Sequence, residues 1–140
     1  MPESESRGSE SDVGCELESF LKSRDDPLLI KGDVLRVMCM YRRLWLSEVV
    51  SEIASFRSTL GEEIPGEGSV REAVQDLARS GFLHLQKGLR ASFVSDRGVE
   101  DVLVTLTVND EAFWKISFDG RLREYRRVVE ELLDRGSGEE

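Results

Sequence analysis

Few side chains in this 140-residue chain are of the kind that does covalent chemistry. His84 is the only histidine, and it alternates with Leu83 and Leu85, the setting of a strand-surface or half-buried residue rather than of a general base or ligand. Cys15 and Cys39 form neither a CxxC pair nor a Cys/His group at metal spacing. Cys39 stands among Val37, Met38 and Met40 and reads as a buried, inert thiol, while Cys15 lies near a polar stretch and reads as a free one. Ser47 and Ser69 each precede a helical pattern and read as helix caps, not nucleophiles. Gly61, Gly66 and Gly68 lack the GxxxxGK[ST] or GxGxxG spacing that cradles phosphate. These residues offer no catalytic site, no cofactor and no metal, and the expectation is a protein that is not an enzyme.

What remains is charge that can make polar contacts. Residues 69–98 carry Arg71, Arg79, Lys87, Arg90 and Arg97 against Glu72, Asp76 and Asp96, a local +2 in a chain of net −9. The acidity sits mostly at the ends: residues 1–30 hold eight acids and three bases, −5, and residues 136–140 hold −2, leaving 31–135 at −2. The overall sign therefore weakens a nucleic-acid reading without excluding it. Arginine and glutamine carry forked donors that match guanine and adenine edges. Glu72 also reads as a capping partner, and Asp76 with Arg79 as an i,i+3 ion pair on a solvated face.

Several elements must position these residues. Residues 1–12 are Ser, Glu and Gly with almost nothing apolar, a disordered acidic tail. Residues 13–25 contain a short helix with Val13, Leu17, Phe20 and Leu21 on one face. A helix begins at Asp26-Pro27 or at Gly32-Asp33, carries Val34, Leu35, Val37, Met38 and Tyr41, and runs to about Arg43. Leu44-Trp45-Leu46 is an extended link. Ser47 caps the next helix, which buries Val49, Val50, Ile53, Ala54 and Phe56 and stops at Gly61. After the loop EEIPGEG, Ser69 and Glu72 form a capping box for a third helix striped by Val70, Ala73, Val74 and Leu77 and ended by Gly81. Residues 82–87 alternate as a strand that can continue through Leu89, Ala91 and Phe93; 95–101 turn, and 102–108 return.

This order, with the wording Leu77-x-x-x-Gly81-Phe82-Leu83, resembles a winged helix-turn-helix domain over about residues 33–108. The class is α+β: a three-helix core plus a two-stranded β-hairpin wing, occupying 26–109, with an added C-terminal element. The second and third helices depart from the pattern in being joined by a long loop rather than a tight turn. The resemblance implies a DNA-binding transcriptional regulator of double-stranded DNA, its third helix in the major groove and its hairpin on the backbone. It would make Ser69, Arg71, Gln75, Arg79, Lys87, Arg90 and Arg97 the DNA contacts. The rival reading is a winged-helix protein–protein module of a transcription, replication or chromosome-organising assembly, favoured by the acidic tails and the mixed charge of the third helix.

The C-terminal third, 110–135, reads as a helix kinked near Gly120, although FWKISF also alternates like a strand. Phe118, Leu122, Tyr125, Val129 and Leu132 form a seam, basic in its first half and acidic in its second, which suits an antiparallel homodimer as well as packing on its own domain. Residues 136–140 read as a disordered tail. No apolar run approaches the ~20 residues of a membrane span, and neither a leader nor a membrane partner is expected, so the location expected is cytoplasmic.

Overall fold

The computed structural model describes residues 14–93 and 96–138, with side chains described through Arg135. The acidic stretch 1–12 lies outside the described residues. Helix α1 covers 14–22, followed by α2 (Leu28–Tyr41), β1 (Arg43–Trp45), α3 (Leu46–Thr59), α4 (Glu67–Arg79), β2 (Leu83–Arg90), β3 (Val99–Leu106), α5 (Asp110–Ser117) and α6 (Gly120–Gly138). The fold is α+β, helices around a three-stranded antiparallel sheet in the order β1-β3-β2.

Helix α2 is the centre. From Ile30 to Cys39 every residue except Lys31 is buried, and so it shows no single apolar stripe; a helix apolar on most sides is one surrounded by others. Helix α4 is the contrast: Val70, Ala73, Val74 and Leu77 are buried and its other faces meet solvent or a flank. Phe56 of α3, Phe82 after α4, Val104 of β3, Ile116 of α5 and Leu122 of α6 all join the same core. Leu17 and Phe20 dock α1 onto it.

Several expected boundaries move. Asp26 does not cap α2; Pro27 takes that position without a side-chain cap, and the Asp26 carboxylate accepts from Arg57 instead. The link 44–46 contains a true strand, β1, because Leu44 and Trp45 pair with Val104 and Leu103; three residues are too few to show a period in sequence. Ser47 is not a cap. Glu48 reaches back to accept from the Trp45 amide at 2.9 Å, while the Ser47 hydroxyl donates to Asp101. The Ser69–Glu72 capping box does not form either, since α4 starts two residues earlier, behind Gly66, and puts Ser69 inside the first turn. A serine caps only from outside the helix.

Helix stops were better marked. Gly61 and Gly81 have φ of +72° and +87°, the left-handed geometry that glycine accepts without strain. Helix α2 instead ends on Arg42 at φ +68°, held there because its amide donates to Met38, its carbonyl accepts from Leu106, and its guanidinium lies 4.0 Å above the Phe113 ring.

Residues 110–120 are helical, but as two helices rather than one with a kink. Asn109 caps α5 by accepting from the Ala112 amide. The chain then breaks at Phe118-Asp119, and the Asp119 carboxylate accepts from the Leu122 amide at 3.1 Å to open α6. That helix continues through residues 136–138, where a tail was expected.

Candidate functional site

Helix α4 follows a seven-residue loop, 60–66, and runs directly into the β2–β3 hairpin through Gly81, whose carbonyl accepts from Thr107. The result is an open groove of about 710 Å³ between the first turns of α3 and α4 and the hairpin. Of the seven residues nominated for DNA contact, Arg71, Lys87 and Arg90 line this groove together. Leu89, Val99 and Val102 add apolar lining, and Glu100 and Asp101 put acids beside the bases.

The other four are not brought there. Ser69 lies on the opposite flank of α4, in a depression with Glu72, Asp76 and residues of the 63–66 loop. Gln75 and Arg79 are exposed on the outer face, and Arg97 is exposed in the turn between the strands.

Electrostatics decide what this face can do. Arg71 pairs with Glu67 at 3.5 Å and Arg79 with Asp76 at 2.9 Å. Asp76 also meets Lys31 at 3.6 Å. Arg90 donates to Asp101 at 2.8 Å, and the same carboxylate accepts from the Ser47 hydroxyl and the Val102 amide. Burial works to raise the Asp101 pKa, but the hydrogen bonds from Ser47, Val102 and Arg90 together hold it below the ordinary carboxylate range. The exposed and half-buried charges on α4 are Glu67, Glu72 and Asp76 against Arg71 and Arg79, one acid in excess. Among the described residues Lys87 and Arg97 make no ion pair.

The seam expected for dimerisation is divided. Leu122 is fully buried in its own core, and Tyr125 stacks on Phe56 with ring centroids 4.5 Å apart. Phe118 is 67% exposed and stacks on exposed Trp114, Val129 is half-buried and Leu132 is exposed. Leu122 and Tyr125 are thus committed to the protomer.

A buried charge cluster escaped the sequence reading altogether. Asp33, fully buried on α2, accepts from three arginines: Arg36 at 2.8 Å, Arg57 at 2.7 Å, and Arg121 at 2.8 and 2.9 Å. Arg36, itself buried, also donates to Asp119 at 2.6 Å and to the Leu21 carbonyl at 2.7 Å. Arg57 reaches Asp26, and Arg121 reaches Glu62. The Arg121 hydrogen bonds outweigh partial burial and hold the Glu62 carboxyl below its ordinary range. The cluster borders an open cavity of about 930 Å³, but each of its guanidinium groups already has a carboxylate partner. A charged pair inside an apolar run was the only readable signal; partners 24 and 88 residues away are set by the fold.

No histidine–cysteine–carboxylate group of metal-binding form occurs among the described residues, and none of their helices is long and apolar enough to cross a membrane. No protein-family model matches the chain, and comparison with curated proteins returns no relative.

Proposed function

We propose that the chain is a winged-helix domain working as a protein-binding module, of the kind that serves as a subunit in transcription, replication or chromosome-organising assemblies. The element order α2-β1-α3-α4-β2-β3, with α4 packed on α2 and α3 and feeding the hairpin, supports the winged-helix reading. The observation that carries the choice of partner is the state of the arginines. Arg71, Arg79 and Arg90 are each already held by a carboxylate of the same domain. Affinity for a duplex comes largely from cations that displace phosphate counterions, and here Glu100 and Asp101 line the same groove as the bases. A groove lined by apolar side chains and by charges of both signs suits a protein surface.

Titration of a fluorescent mixed-sequence duplex at low salt tests this. The expected result is no saturable binding; binding that weakens steeply with added salt overturns it. That outcome belongs to the second reading, a DNA-binding regulator with α4 in the major groove and the hairpin on the backbone. Lys87 and Arg97 favour it, because they are exposed and make no ion pair among the described residues. Exposed pairs such as Arg79–Asp76 are worth only about 0–1 kcal/mol and can be exchanged for phosphate. On that reading Lys87→Ala with Arg97→Ala lowers the salt slope by about two.

A further inference from the structure

Past Val129, no described side chain of α6 is buried. From Glu130 to Arg135 every residue is exposed, including Leu132 at 54% and Leu133 at 67%. Yet the helix is amphipathic along its whole described length. At about 100° per residue, Leu122, Tyr125, Val128, Val129, Leu132 and Leu133 fall on one continuous stripe. The first two are spent on the core; the rest of the stripe runs past the edge of the domain.

The flanks of the stripe show what fits it. On the same wheel Arg123, Arg126, Glu130 and Asp134 lie together on one flank, bases first and acids last. All four are exposed, and none has an ion pair among the described residues. The other flank carries Arg127 bonded to Glu124 and Glu131 within the helix, so its charges are already matched. When two copies of a helix pair antiparallel about a two-fold axis, like flank faces like flank in reversed order. With the axis beside Val128 and Val129, Arg126 of one copy meets Glu130 of the other, Arg123 meets Asp134, and Leu132 lies over the other copy's Tyr125, which its own core covers only in part. The pattern is self-complementary.

Two intrinsic costs of the protruding end would be offset by such a partner. A short helical end without packing is marginal in water, and the exposed Leu132 and Leu133 keep apolar surface in contact with it. We infer that the exposed half of α6 is a homodimerisation surface: Val128, Val129, Leu132 and Leu133 form the seam, and the Arg123/Arg126 and Glu130/Asp134 charges set an antiparallel register. This surface is separate from the α4–hairpin groove and stands whether that groove binds protein or DNA.

Sedimentation velocity on the full chain at tens of micromolar tests it. The wild type should sediment at twice the chain mass. Leu132→Asp with Leu133→Asp, both at exposed positions, should give a monomer whose core still unfolds cooperatively in urea. Arg126→Glu should shift the equilibrium toward monomer by at least tenfold, and adding Glu130→Arg should restore the dimer, because each swapped charge then faces its opposite again. A monomeric wild type, or a dimer indifferent to the leucine pair, overturns the surface. A dimer lost in Leu132→Asp/Leu133→Asp but unmoved by Arg126→Glu overturns the antiparallel charge register.

Discussion

Asp101 shows how a single side chain can change the meaning of its neighbours. In sequence it belongs to a turn and Arg90 to a basic hairpin; in the fold Asp101 takes Arg90 and Ser47 together. The charge that looked available for phosphate is therefore taken up by a cross-strand pair inside the hairpin, while the same carboxylate ties the hairpin to α3 through Ser47. Because the Asp101 carboxyl is held below its ordinary range, its contribution to stability is present above about pH 4 and is lost as pH falls through its folded value. Asp101→Asn should cost about 1–2 kcal/mol at pH 7, measured by urea unfolding, and the gap to wild type should narrow as the pH is lowered from about 5 toward 3. A gap that stays constant with pH would mean that the charge of Asp101 contributes nothing.

At the scale of elements, what the sequence showed and what it hid follow from range. The α4 stripe and its stop at Gly81 are local patterns and appear where expected, whereas β3 spans Val99–Leu106 rather than 102–108 and its burial does not alternate. Strand β1 was hidden because three residues carry no period, and the break at Phe118-Asp119 because the apolar spacing runs straight through it. Docking of α1 depends on a position that looks incidental in sequence. A Cβ on Gly32 would lie 2.3 Å from the Phe20 carbonyl oxygen and 2.9 Å from Arg36 Nη1. Gly32→Ala should therefore push α1 off α2, at a cost of about 1–3 kcal/mol, the usual range for overpacking. Limited proteolysis should then cut near residues 21–27 while the α4–hairpin unit stays resistant. Unchanged resistance at that segment would show that α1 is not seated against α2 as described.

For the whole molecule, the Asp33 cluster has the largest reach. It joins the end of α1 through Leu21, α2 through Arg36, α3 through Arg57, the 60–66 loop through Glu62, and α6 through Arg121. Removing one member of a buried ion group leaves the others uncompensated, which typically costs about 3–5 kcal/mol. Asp33→Asn should show a loss of that size in urea unfolding, with α6 helicity lost before the core. A loss under about 1 kcal/mol would mean that the apolar contacts of Leu122 and Ile116 hold the C-terminal helices unaided. The candidate surfaces were only half legible for the same reason: exposed charge can be read from sequence, but whether it is already claimed depends on partners far along the chain.

The joint at Phe118-Asp119 has a mechanical consequence. A break between two helices would ordinarily act as a hinge, leaving α6 to swing. Here Asp119 is gripped by Arg36 while it opens α6, and Arg121 is anchored two residues further on. The joint is welded. The base of α6 is therefore fastened to the centre of the domain, so that at this joint α6 and α2 form one piece.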